Sequence, residues 1–312
     1  MALRGHPDGS GTGQIGIGDA RPAPAGRASA VFESVAGARY ALAMTTTTME
    51  LDTPYMLASV VDGVGWMTFN NPERRNAMKM EMNRAIVEIV GRFRDDDRVR
   101  VVVMQGAGDK AFVSGADISE FEQNRSSPEA RAEFDAVAAA AGRAMDDLHK
   151  PLIAKIRGFC MGGGLATALR ADIRIAADDG QFAIPAARLG LGYGFAGIRS
   201  LVTLVGPAMA AEILMSARRF SADEAKAMGL INRVVPAAEL DDAVTELATT
   251  IGENAPLTVR AAKAAIAEAV KDPDRRDLER VADLVEACFA SADYIEGRRA
   301  FMEKRRPEFT GS

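Results

Sequence analysis

From about residue 55 onward, apolar and polar positions alternate in short blocks separated by turn residues. Residues 57–61 and Val64–Phe69 are two such blocks on either side of Asp62-Gly63. That dipeptide between apolar runs predicts a β-hairpin, because both central positions of the tight turn need a residue that accepts positive φ. A polar loop follows, Asn70-Asn71-Pro72-Glu73-Arg74-Arg75-Asn76-Ala77. Met82, Ile86, Ile89, Val90 and Phe93 then recur at helical spacing and predict one helix with a buried stripe. The run Val101-Val102-Val103-Met104 is expected as a short buried strand, and a second polar loop leads to Ala111-Phe112-Val113-Ser114-Gly115-Ala116-Asp117-Ile118.

Ser127-Pro128-Glu129 has the chemistry of a helix start, with Ser127 as cap and Pro128 in the first turn, and predicts a helix to about Leu148. An apolar run at 152–156 reads as a buried strand. It leads through Gly162-Gly163-Gly164 into a helical run at 165–169. Strands are expected at 173–177 and 181–184, a Gly-rich loop at 185–195, and helices at 207–217 and 221–228. The second of these helices carries a capping box from Ser221 and Glu224. A last strand at 231–235 precedes Pro236, and from Leu240 the pattern is helical with breaks near Pro256 and Pro273. The repeating unit is two short strands and a helix, followed by an all-helical end, so the fold class is α/β.

Residues 1–50 stand apart. They are rich in Gly, Ala, Ser, Thr and Arg and show neither strand nor helix period, so a disordered extension is expected. Asp8, Asp19 and Glu33 run against the acidic-poor pattern of a targeting peptide.

Composition narrows the function classes. With 312 residues, 48% apolar and 26% charged, the chain has the make-up of an ordinary globular protein. A net charge of −5 gives no broad electrostatic reason for nucleic acid as partner. Cys160 and Cys288 are too few and too far apart for a disulfide framework, which fits a reducing, cytoplasmic compartment. His6 and His149 are the only histidines, so a His-based triad or His-rich metal site is hard to build. No apolar run is expected to span a bilayer, and no membrane partner is expected.

The chemistry gathers at two backbone sites, Gly115-Ala116-Asp117 and Gly162-Gly163-Gly164. Glycines at a strand-to-helix turn let the backbone approach a ligand and present free N–H groups to it. The same tripeptide also serves as a tight turn packed on a neighbouring strand. If the N–H groups of Ala116 and Gly163 converge, they would hold a thioester oxygen as it becomes an enolate.

Together, Asn71-Pro72 with Arg75-Asn76-Ala77, Ser114-Gly115-Ala116-Asp117-Ile118, Met161-Gly162-Gly163-Gly164, and Ala222-Asp223-Glu224-Ala225 through Gly229-Leu230-Ile231-Asn232-Arg233-Val234-Val235 resemble the enoyl-CoA hydratase/isomerase, or crotonase, superfamily. The match runs from about Tyr55 to the C-terminus. The resemblance implies a spiral of ββα units over 51–250 and a helical trimerisation region over 251–312. It also implies trimers or paired trimers, and an acyl-CoA substrate that brings coenzyme A as its own part, with no further cofactor and no metal. It makes Ala116 and Gly163 the oxyanion donors. Arg75, Asn76 and Ala77, with Ala111 and Asp117, would line the CoA channel. Phe301 and Lys304 would reach the CoA nucleotide, Lys304 being equally readable as part of a solvated basic tail.

The departures from the family matter for the reaction. Hydratases of the family carry one glutamate just after the glycine triplet and one just after the proline of the next loop. This chain has Ala166 and Ala186 there, and neither can move a proton. Tyr193, in Leu189-Gly190-Leu191-Gly192-Tyr193-Gly194, is similar to a tyrosine in members resembling methylmalonyl-CoA decarboxylase. The specific expectation is therefore decarboxylation or another C–C cleavage of a malonyl-type acyl-CoA. Tyr193 is otherwise a packing residue. Glu120, one turn after Asp117, is the expected relocated base if the enzyme is instead a hydratase or isomerase, and otherwise a solvated helix glutamate. A non-catalytic acyl-CoA-binding subunit is the third reading.

Overall fold

The structure, a computed structural model, describes residues 46–120 and 127–312. Strands β2 (Met56–Val61) and β3 (Val64–Phe69) form the expected hairpin, with Asp62 at φ 47° and Gly63 at φ 80°. Helix α1 (Met80–Asp95) follows and buries Met82, Ile86, Ile89, Val90 and Phe93. At roughly 1.5–3 kcal/mol for each large apolar side chain taken out of water, that stripe accounts for the helix's place in the fold.

Three successive units then build the spiral. The first holds β4 (Val101–Gly106), β5 (Ala111–Val113) and helix α2 (Pro128–Asp146). The second holds β6 (Leu152–Ile156), β7 (Phe159–Met161) and helix α3 (Gly163–Ala168). The third holds β8 (Ile173–Ala177), β9 (Gln181–Ala183) and helix α4 (Phe195–Ser216). In each unit the first strand joins one sheet and the second joins another. The larger sheet runs β1-β2-β3-β4-β6-β8-β11 and the smaller β10-β9-β7-β5, where β1 is Thr46–Thr48, β10 Phe220–Ser221 and β11 Arg233–Val235. The pairs β3/β4, β4/β6, β6/β8 and β8/β11 are parallel, as are β5/β7 and β7/β9.

Parallel strands covered on both faces need apolar side chains on both. Val102 and Met104 of β4 face the main core with Leu152, Ala154 and Ile156 of β6. Val101, Val103 and Ile153 point the other way, against Leu240, Val244 and Ala248 of helix α6 (Leu240–Gly252). Helix α5 (Ala222–Ala227) begins at the expected capping box: the Glu224 N–H donates to Ser221 Oγ at 3.2 Å and the Ser221 N–H donates to Glu224 at 2.8 Å. Ser127 caps α2 by accepting from the Ala130 N–H at 3.2 Å. Helices α7 (Pro256–Ala269), α8 (Leu278–Ala290) and α9 (Ala292–Glu303) complete the chain. The spiral and these helices lie in one compact unit, Met44–Ser312.

Four expectations change. Residues 1–45 lie outside the described residues, but Thr46–Thr48, expected in the disordered extension, pairs with β2 as an antiparallel edge strand. All three threonines are exposed, so burial periodicity could not announce them, although β-branched residues favour strands. The boundary at 250/251 falls inside the last turn of α6, and the C-terminal helices begin at Pro256. Helix α4 starts at Phe195 rather than at Pro207. Its two halves meet at Gly206, whose φ of 74° and ψ of 165° break the helical path. Finally, this kinked helix is long and apolar enough, by length and composition, to cross a membrane, contrary to the expectation of no such run. Arg199 within it pairs with Asp272 at 3.1 Å, tying it to the C-terminal region.

Candidate active site

The two backbone sites meet. The turn before α3 is shaped by its glycines. Gly162 takes φ 49° and ψ −116°, a conformation closed to a side-chain-bearing residue. A Cβ on Gly164 would stand 2.2 Å from the Val113 carbonyl oxygen, so β5 and the first turn of α3 touch backbone to backbone. That close packing sets Gly163 beside Ala116, and a Cβ built on Gly163 would lie 3.9 Å from Ala116 N. The Ala116 strand is pinned on its other side, where the Met78 N–H donates to Gly115 O at 2.7 Å and the Asp117 N–H to Met78 O at 2.9 Å. Between those bonds the N–H of Ala116 has no partner among the described residues, and neither has the N–H of Gly163 at the first position of α3. Helix α3 has six residues, so its contribution is these N–H groups rather than a long helix dipole.

Both N–H groups open on a cavity of about 540 Å³. One wall is Ser114, Gly115, Ala116, Gly162 and Gly163; Ala166 and Thr167 of α3, and Arg170 in the turn two residues past its end, line the space next to it. Helix α2 supplies Phe134, Ala138, Ala141, Gly142 and Met145, with the small residues in the middle of that face leaving the space open. The segment after β9 closes it with Ile184, Pro185, Ala186, Leu189, Leu191 and Tyr193. The two positions at which the family resemblance puts glutamates, Ala166 and Ala186, thus face the same space from two elements. As read from the sequence, methyl groups stand at both positions.

Tyr193 lines the cavity, half-buried. Burial pushes its hydroxyl above the ordinary tyrosine value, while the nearby Arg170 charge pulls it down. The phenol therefore keeps its proton at neutral pH, a donor rather than a base. Arg170, not expected from the sequence, pairs with Asp146. The signal was present in the helical spacing Gly163, Ala166, Thr167, Arg170.

The structure takes Glu120 away from this space. Its carboxylate accepts from the Met80 N–H at 3.2 Å, at the start of α1, and pairs with Lys79 at 3.5 Å. It is not among the residues lining the cavity. Several expected CoA-channel residues prove to hold the loop together. Asn76 is fully buried, donating to Ala107 O and Ala111 O and accepting from the Asn71 N–H. Ala77 and Ala111 are buried. Burial works against the Asp117 carboxylate, but the hydroxyl and N–H of Ser119 outweigh it and hold the group below its ordinary range. Arg75 is exposed, with its guanidinium 4.9 Å over the Phe159 ring; Arg219 approaches the same ring at 5.3 Å. Phe301 and Lys304, exposed on and just after α9, do not line the cavity, and Phe301 belongs to a separate groove between α7, α8 and α9. Cys160 is fully buried, which pushes its thiol far up and leaves it inert as a nucleophile. Asp172 accepts from the Leu152 N–H and pairs with Lys263, a structural role.

Comparison with known proteins agrees with this arrangement. The family model for enoyl-CoA hydratase/isomerase matches residues 60–312. A crotonyl-CoA hydratase of Syntrophomonas wolfei is 40% identical over 240 residues, covering 77% of this chain and 92% of the relative. A carnitinyl-CoA dehydratase of Proteus mirabilis is 37% identical over 246 residues, covering 76% and 92%. Among solved structures, an enoyl-CoA hydratase/carnithine racemase from Magnetospirillum magneticum superposes with a TM-score of 0.80 at 35% identity, over 84% of this chain and 97% of that one. On its sequence, its spiral of paired strands and its glycine-built cavity, the chain belongs to the enoyl-CoA hydratase/isomerase family.

Proposed function

We propose that the chain is an enzyme acting on an acyl-CoA thioester, with the thioester oxygen held by the N–H groups of Ala116 and Gly163 while C2 carries enolate character. The observation that carries this reading is that pair of unpartnered donors at the wall of a largely apolar cavity. In such a place, donors aimed at a developing oxyanion are worth far more than in water.

The reaction we propose is decarboxylation, or a related C–C cleavage, of a malonyl-type acyl-CoA. The bond from C2 to the carboxylate breaks and its electron pair moves into the enolate held at the two N–H groups. Carbon dioxide leaves, and C2 then takes a proton from water. No carboxylate is needed for this, which suits Ala166 and Ala186. The protonated Tyr193 hydroxyl is a donor that orients the leaving carboxylate. A second reading, hydration of an enoyl-CoA or the reverse dehydration of a hydroxyacyl-CoA, is favoured by the activities named for the Syntrophomonas and Proteus relatives. It requires a proton-transferring group that neither alanine supplies. The test is to offer crotonyl-CoA and methylmalonyl-CoA side by side. Carbon dioxide release from the second, with the enoyl absorbance of the first unchanged, supports the decarboxylase. Rapid loss of that absorbance supports the hydratase.

The partner we propose is further copies of the same chain, as trimers or paired trimers. Phe289, Ile295, Phe301 and Met302 are exposed apolar residues in α8 and α9, more than a lone surface needs. In that assembly Phe301 and Lys304 would reach the CoA nucleotide of a neighbouring subunit, and Arg75 would flank the same channel.

A further inference from the structure

Arg170 brings a positive charge into a cavity whose walls are otherwise mostly apolar. Asp135, the carboxylate among the described residues of the lining, is exposed and faces Arg131 at 3.7 Å. Arg170 lies in the turn just after α3, seven residues beyond Gly163, and lines the same cavity as Ala166 and Thr167. Because Leu169 keeps right-handed helical angles, the path can be counted at about 1.5 Å per residue, which puts Arg170 roughly 10 Å from the oxyanion donors.

Its position is built from the opposite helix. In α2 the run Ala138-Ala139-Ala140-Ala141 is followed by Gly142. Glycine there sacrifices helix stability relative to another alanine. A Cβ at 142 would stand 3.0 Å from Arg170 Nη2 and 3.1 Å from Cζ, so the missing methyl is the space against which the guanidinium rests. One turn further on, Asp146 accepts from Nη1. The guanidinium is thereby fixed by one nitrogen, while Nε and Nη2 have no hydrogen-bond partner among the described residues. A planar five-donor group held in this way still has donors to give to a second carboxylate.

We propose that Arg170 determines substrate choice by receiving a carboxylate at the far end of the acyl group. The preferred ligands are then CoA thioesters of dicarboxylic acids, with a chain of about four to six carbons at roughly 1.5 Å per C–C bond. This inference rests on the acyl-CoA reading above; the distal carboxylate is additional to the C2 carboxylate that decarboxylation would remove, so the binding preference does not depend on which bond breaks at C2.

The test is calorimetric binding of glutaryl-CoA and butyryl-CoA to the full-length protein and to the Arg170→Gln and Gly142→Ala variants. The expected result is glutaryl-CoA binding about 10- to 100-fold tighter than butyryl-CoA in the wild type, the range of one charge-assisted hydrogen bond. In Arg170→Gln that preference disappears while butyryl-CoA affinity stays within a few-fold. Gly142→Ala, which keeps the arginine but displaces its guanidinium, erodes the same preference. Equal wild-type affinity for the two thioesters overturns the proposal. So does a variant that weakens both equally, since that is what a merely structural arginine would do. Failure of the wild type to bind either thioester, or CoA itself, overturns the acyl-CoA reading and this inference with it.

Discussion

The two walls of the cavity are made differently. On one side, Gly115-Ala116 and Gly162-Gly163-Gly164 offer backbone, locked by the contact of Gly164 with Val113 O and by the Met78 bonds on either side of Ala116. Around it, Ala166, Arg170, Ala186 and Tyr193 offer side chains, projected from α3, from the turn just after it and from the segment after β9. A backbone donor survives every point substitution at its own position except one to proline, which has no N–H. A side chain can be exchanged with the fold intact. On the proposed function, the ability to hold an enolate would be tied to the backbone of the fold, while the choice of what is done with the enolate would be free to vary. This chain, with Ala166 and Ala186 at the positions where the family resemblance puts glutamates, would illustrate the second kind of freedom.

The largest effect should come from the backbone wall. Gly164→Ala forces a methyl into the Val113 carbonyl, and overpacking with no flexible neighbour to yield should cost about 3 kcal/mol or more, read from the urea midpoint. Next, Ala116→Pro removes one oxyanion donor and should lower kcat by about 100- to 1,000-fold. A thermal melt would show whether the loss is chemical or comes from unfolding.

Changes on the side-chain wall should be milder and should redirect the reaction. Installing both carboxylates, Ala166→Glu with Ala186→Glu, should leave the melting temperature little changed, raise crotonyl-CoA hydration and slow decarboxylation. If hydration stays absent although the double variant still binds the thioester, the division between the walls is wrong. Tyr193→Phe should lower decarboxylation by about 10- to 100-fold, the range of one hydrogen bond to a charged group. Because burial holds the hydroxyl above its ordinary value, the protonated donor persists further into alkali than a free tyrosine, and any tyrosine-dependent fall in the wild-type rate should come at higher pH than a free tyrosine would give.

The smallest effect lies far from both walls. Glu296 is held well below the carboxylate range by Arg305 and Arg299 and by the Glu308 N–H. Its contribution to stability is present above its unfolded value near 4.3 and fades as pH falls through the lower folded one. Glu296→Gln should thus lower the melting temperature slightly at neutral pH and not at strongly acid pH.

Much of this was legible in the sequence wherever a long period or a specific turn chemistry was at stake. The Asp62-Gly63 hairpin, the α1 stripe and the Ser127 and Ser221 caps all announced themselves locally. Strands β5 and β7 did not: at three residues each they are too short to show a period of two, yet they set the spacing of Ala116 and Gly163. The first half of α4 was hidden behind Gly190, Gly192 and Gly194, which read as loop. The candidate site divided in the same way. Ala116, Gly163 and Tyr193 reach the cavity, because motif and turn fix them. Glu120 was placed by sequence spacing alone, and the hydrogen bond from the Met80 N–H and the ion pair with Lys79 draw it to the start of α1 instead. Asn76 has the look of a ligand-binding amide, but its buried side chain is occupied by Asn71, Ala107 and Ala111. Arg170 depends on Gly142, 28 positions earlier in the chain and on another helix, a relation no local pattern displays.

The most direct test of the central claim is the carbonyl 13C chemical shift of butyryl-CoA labelled at C1 and bound to the protein. If the N–H groups of Ala116 and Gly163 hold the thioester oxygen, the bound carbonyl is polarised and its resonance moves downfield of the free thioester, and Ala116→Pro abolishes most of that shift. A bound resonance at the free position, with saturation shown by calorimetry, would contradict the oxyanion assignment.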